Sequence, residues 1–178
     1  LQGGAFTDVK AGDYYLSAVD WALDKAVTSG TSNTTFSPNA ACTRAQAVTF
    51  LWRAAGSPEP TATTTAFTDV KEGSYYYKAV LWAVENSITS GATETTFAPD
   101  ATCTRSQIVT FLYRMEKSPE ATAENPFTDV KAGAFYENAV LWAVKENITT
   151  GATATTFDPA GDCTRGQIVT FLYRCLNK

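Results

Sequence analysis

The sequence predicts an all-α fold: three helix–loop–helix repeats that close into one pseudo-threefold body. Two observations carry this. Phe6-Thr7-Asp8-Val9-Lys10 returns at 67–71 and at 127–131, and Trp21 returns as Trp82 and Trp142, at offsets of 61 and then 60 residues. Each unit also holds two apolar stripes at helical spacing. Two short helices bury too little surface alone, so the units must share a core. The repeats divide the chain into 1–56, 57–117 and 118–178, with linkers at 57–66 and 118–126 that are rich in Pro, Thr and small residues.

The first helix of each unit is predicted over roughly Tyr14 to Ala26 and its counterparts. Val19, Ala22, Leu23 and Ala26 fall at i, i+3, i+4 and i+7. Val80, Ala83, Val84 and Ser87 repeat the spacing, as do Val140, Ala143, Val144 and Asn147. The fourth position turns polar in the later units, so the apolar face ends there. Asp13 and Ser74 are candidate N-caps; Ala134 is not. A Thr/Ser/Gly loop follows, in which Gly30, Gly91 and Gly151 suit positive φ, and it ends in Phe-x-Pro.

The second helix opens on Cys42-Thr43-Arg44-Ala45-Gln46, which recurs at 103–107 and 163–167. Threonine with glutamine three residues on is a capping box, so Thr43 and Gln46, Thr104 and Gln107, and Thr164 and Gln167 are structural. The residue between Arg and Gln varies because the cap does not use it. Cys42 takes the hydrophobic-staple position opposite Ala47. Cysteines 60 residues apart, with no histidine in the chain, do not match zinc spacing. Buried thiols and a Cys–Cys pair across units both stay open. Cys163 and Cys175 lie about 18 Å apart along one helix, too far to bridge.

Arg44, Arg105 and Arg165 are what the cap does not need. A cation at a helix N-terminus opposes the dipole, whereas free amides and a guanidinium together suit an anion. The competing reading pairs each arginine with a local carboxylate such as Asp8. Arg53, Arg114 and Arg174 fall near helix C-termini, where cations are favoured, and read as structural. Asp8, Asp69 and Asp129 read as turn acceptors that also suit orienting the arginines. Trp21, Trp82 and Trp142 border the apolar face, as core residues or as sugar platforms.

Net charge is −4, with no basic stripe, which argues against nucleic acid and against an anionic membrane surface. No run of 18 apolar residues occurs, so no membrane insertion is expected. Leu1-Gln2-Gly3-Gly4 does not read as a signal peptide, and the start just ahead of the first repeat reads as a piece of a longer protein. No cofactor, metal site or catalytic residue is expected. A two-carboxylate glycosidase needs unlike groups in unlike roles, whereas the repeated acids occupy like places.

Phe-x-Asp-Val, an aromatic helix, Gly, Phe-x-Pro and Thr-Arg-x-Gln, in that order and in three copies, resemble the S-layer homology domain. The likeness covers nearly the whole chain. It departs from the family's Thr-Arg-Ala-Glu in having Gln46, Gln107 and Gln167, and Tyr15, Tyr76 and Tyr136 stand where the family has an early Trp. Ala26, Ser87 and Asn147 stand where the family tends to have Gly. The resemblance implies a three-pronged spindle around a central helix bundle. It implies an extracellular module at the bacterial cell wall that binds an anionic secondary cell-wall polysaccharide, in some bacteria pyruvylated, and tethers a larger surface protein. Arg44, Arg105 and Arg165 match the family's ligand contact. Tyr15, Tyr76, Tyr136, Trp21, Trp82 and Trp142 are candidate sugar contacts, with Asp8, Asp69 and Asp129 beside the arginines. The alternative is a structural or self-assembly module of the cell surface without glycan binding.

Overall fold

The computed structural model describes residues 6–177. The reading of Leu1-Gln2-Gly3-Gly4 lies outside the described residues. Six helices follow in order: α1 (Leu16–Asp24), α2 (Arg44–Ala54), α3 (Tyr77–Glu85), α4 (Arg105–Met115), α5 (Glu137–Lys145) and α6 (Arg165–Leu176). The chain is all-α; among the described residues the only extended pairings are three isolated antiparallel bridges.

Helices of nine to twelve residues are marginal alone, and their stability has to come from packing. Here that packing crosses the repeats. α2 packs on α3, α4 on α5 and α6 back on α1, while α2, α4 and α6 also meet one another. Each repeat therefore offers its second helix to the first helix of the next, and the third closes on the first. Phe36, Phe97 and Phe157 are fully buried in the shared core.

The short first helices end on a specific device. Val27 N–H donates to Ala22 and Ala26 N–H to Leu23, the paired bonds of a Schellman motif. This puts Ala26 at φ 55°, with Ser87 and Asn147 at 57° and 58° in the same role. The predicted fourth apolar position is thus the residue just beyond the helix, which is why it is free to turn polar. The expected N-caps are corrected. Helix α1 begins at Leu16 with no side-chain cap; Asp13 Oδ2 instead accepts from Lys10 N–H at 2.8 Å, and the Ser74 hydroxyl donates to the Lys71 carbonyl. Gly30, Gly91 and Gly151 have φ of 89°, 96° and 95°. A Cβ on Gly30 would fall 2.5 Å from the Phe6 ring, so the loop also needs glycine for space.

The second helices begin as predicted. Thr43 Oγ1 accepts from Gln46 N–H and Gln46 Oε1 from Thr43 N–H, both at 3.2 Å, and α4 and α6 repeat the box. Just ahead of the caps, the three motif cysteines form a ring of backbone hydrogen bonds. Cys42 N–H donates to Cys163, Cys103 to Cys42 and Cys163 to Cys103, at 2.9, 2.8 and 3.0 Å. All four cysteines are buried, and no disulfide pairs the motif cysteines across repeats. Burial raises Cys42 and Cys103 to about 12, and raises Cys163 further.

Candidate functional site

The helix starts differ from the sequence expectation in one respect. Their first amides are not free. Arg44 N–H donates to Ala101 and Ala45 N–H to Pro99, both carbonyls of the next repeat's loop. Arg105 and Ser106 use Gly161 and Pro159 in the same way, and Arg165 and Gly166 use Ala40 and Pro38. The residue between Arg and Gln is therefore not idle. Its amide ties two repeats, and its side chain must be small: a Cβ on Gly166 would meet the Tyr15 ring at 3.0 Å. These two amides at each helix start are therefore not open to an anion, unlike the free amides the sequence suggests.

Each guanidinium reaches into the next repeat. Arg44 Nε donates to the Phe97 carbonyl at 2.9 Å, Arg105 Nε to Phe157 at 2.8 Å, and Arg165 Nε to Phe36 at 2.8 Å. Arg44 lies 4.8 Å over the Phe97 ring and 5.6 Å from Phe111, and the other two repeat this cradle. The three arginines are only 5%, 6% and 4% exposed. Nη2 of Arg44 and of Arg105 is buried without a hydrogen-bond partner. Burying a charged donor without a partner is costly, which makes these two atoms exceptions among the buried polar groups described. Burial lowers the pKa of Arg44 and Arg165, yet arginine keeps its charge at neutral pH.

The carboxylate near each arginine is not its own repeat's. Asp69 faces Arg44, Asp129 faces Arg105, and Asp8 faces Arg165. Asp8 accepts from Phe36 N–H and Ser37 N–H at 2.9 and 2.7 Å, and Asp69 and Asp129 hold the equivalent amides. Asp8 thus fixes the turn whose carbonyl receives Arg165. Burial pushes the Asp8 and Asp129 carboxyls up, but these amide bonds outweigh it and hold them below the usual range.

Three grooves of one design result. Groove A, about 330 Å³, combines Arg165 with loop 28–31, with Gln46, Thr49, Phe50 and Arg53 of α2, and with Tyr75 of the second repeat. Groove B, about 420 Å³, has Arg44, Gln107, Thr110, Phe111, Arg114 and Phe135 in those places. Groove C, about 350 Å³, has Arg105, Gln167, Thr170, Phe171, Arg174 and Tyr14. Every groove draws on all three repeats. Volumes of this order fall at the low end of small-molecule pockets.

The other candidates lie outside the grooves. Trp82 and Trp142 are buried, and Trp21 and Trp142 pack against Tyr173 and Tyr113 of a neighbouring helix. Tyr15, Tyr76 and Tyr136 stand behind the groove wall. Each supports the preceding aromatic edge-on at 4.9 to 5.1 Å, and it is these neighbours, Tyr14, Tyr75 and Phe135, that are 61%, 57% and 65% exposed. Asp8, Asp69 and Asp129 act through the turn. Arg53, Arg114 and Arg174 do bond nearby carbonyls of Val27, Ile88 and Ile148, as a structural role requires, but they also line the grooves. A sequence signal existed for them. Gln46, Thr49 and Arg53 form a polar i, i+3, i+7 stripe beside the apolar face of α2.

Comparison with known proteins places this architecture. The S-layer homology domain family matches residues 5–48, 66–109 and 126–169. An endoglucanase of Bacillus sp. (strain KSM-635) is 31% identical over 91% of this chain and 18% of its own length. A cell surface protein of Thermoanaerobacter kivui is 32% identical over 65% of this chain and 16% of its own. A surface-layer 125 kDa protein of Lysinibacillus sphaericus is 34% identical over 58% and 9%. The chain thus spans less than a fifth of the length of these curated relatives. With three matched repeats covering most of its length, the chain belongs to the S-layer homology domain family.

Proposed function

We propose that the chain is a non-catalytic, non-covalent anchor at the bacterial cell surface, binding an anionic secondary cell-wall polysaccharide and tethering a larger surface protein. Family membership supports the anchoring role and the location. The observation that carries the acidic ligand is the unpartnered, buried Nη2 of Arg44, set in a groove that also holds Arg114 and no acidic side chain. A carboxylate or phosphate oxygen meets that donor in charge-assisted fashion, while Phe135 supplies an aromatic face for a sugar ring. Several weak grooves on one polymer give avidity without any single strong site. Relatives that are enzymes, such as the endoglucanase, are several times longer than the matched region, so their activity need not reside in it.

The test is sedimentation of the chain with purified native wall, before and after extraction of the acidic polymer. The expected result is loss of binding with the polymer. Equal binding to stripped wall would reject the reading.

A further inference from the structure

The grooves share a design but not a charge. Groove A holds Arg53 and Arg165 and no acid, and groove B holds Arg44 and Arg114 and no acid. Groove C holds Arg105 and Arg174 together with Asp158 and Asp162, so its two positive groups are offset by two negative ones. The equivalent positions in the other repeats are Ser37 and Ala41, then Ala98 and Thr102.

The difference is built into the loop. Asp158 takes the left-handed position, φ 59°, that Ser37 and Ala98 take elsewhere, and its N–H donates to Asp129 at 2.8 Å. Its carboxylate then lies over Gly161: a Cβ there would collide with Asp158 Oδ2, and Ala40 and Ala101 fill that position in the other two repeats. Asp162 is held in the bridge to Thr104. Meanwhile Arg105, only 6% exposed, lines this groove, and its Nη2 has no hydrogen-bond partner. The groove therefore presents one buried donor seeking an acceptor, and two carboxylates that repel an anion and seek donors.

We propose that groove C binds a sugar unit without an acid group, and that the chain engages the acid groups of its polymer only through grooves A and B. A hydroxyl or carbonyl oxygen of the sugar accepts from Arg105 Nη2, and hydroxyl or amine hydrogens go to Asp158 and Asp162. This rests on the wall-polymer reading above and assigns its acidic and acid-free units to different grooves.

Calorimetric titration of the full chain with size-defined acidic oligosaccharides from the wall polymer tests it, alongside the same fragments with the acid group chemically removed. Wild type should bind the acidic fragment at two sites and the acid-free fragment at one. The double variant D158A/D162T installs residues that repeat 2 already carries in the same backbone geometry, so folding is not at issue. It should open a third acidic site, raising groove C affinity for the acid roughly tenfold or more, and weaken the acid-free site. Three equal acidic sites in wild type, or an unchanged stoichiometry in D158A/D162T, would overturn the assignment of groove C alone. Undiminished acid binding by both R44K and R165K would overturn the polymer reading on which it rests.

Discussion

Arg165, in the last repeat, donates from Nε to the carbonyl of Phe36 in the first, 2.8 Å away and across 129 residues of chain. Asp8 holds the two amides of that same turn. Arg165, which lines groove A, is therefore also the latch that closes the ring of repeats.

Arg165→Ala should consequently destabilise as well as impair binding. Loss of a buried charge-assisted hydrogen bond and of two ring contacts should cost about 3 kcal/mol, read from denaturant unfolding. Arg165→Lys keeps the charge and loses the planar fork. It should retain more stability than alanine while still weakening polymer binding, and equal stability of the two variants would show that the latch does not matter.

The left-handed residues after the first helices offer a gain. Ala26 and Ser87 sit at φ 55° and 57°, where a Cβ costs about 1 kcal/mol. Ala26→Gly and Ser87→Gly should each raise stability by about that amount. Asn147→Gly should gain less, because Asn tolerates this conformation. Thermal melting of the three single variants checks the order.

The thiols around the backbone ring predict a loss of stability at alkaline pH. Burial raises Cys42 and Cys103 from 9.0 to about 12. A thiol whose folded value is raised keeps its contribution in full below about pH 9. That contribution is lost as pH climbs toward 12, at about 1.4 kcal/mol per pH unit for each thiol. Unfolding free energy measured between pH 8 and 11 should fall accordingly, and the triple variant C42A/C103A/C163A should flatten the decline. Native-state alkylation of the three should be slow at neutral pH.

Asp8 predicts the acid limb. Its folded value is lowered, so its contribution is present above its ordinary 3.8 and lost as pH falls through the folded value. Asp8→Asn should cost about 1–2 kcal/mol at pH 7 and reduce the loss of stability on acidification. A variant with the wild-type acid profile would show that the Phe36–Ser37 turn does not depend on the charge.

These features divide by the range of the interactions that make them. The capping box of Thr43 and Gln46 and the positive φ of Gly30 depend on neighbours within a few residues, so both are legible in the sequence. Arg44 is conspicuous because it violates a local preference. What it touches is not legible, because Phe97 lies 53 residues away in another repeat. The aromatic groove residues show the same limit: Tyr14 and Tyr15 are equivalent as letters, and only the packing of Tyr15 behind the wall sends Tyr14 outward. Arg53 reads locally as a helix-end cation in a polar stripe with Gln46 and Thr49, and nothing local reveals that Arg165 of another repeat converges beside that stripe.

The most direct measurement is a crystal structure of the chain with an acidic fragment of the wall polymer. The account predicts a carboxylate or phosphate oxygen within hydrogen-bonding distance of Nη2 of Arg44 in groove B, beside Phe135. An acid group bound away from the grooves, with Arg44 Nη2 still unpartnered, would contradict it.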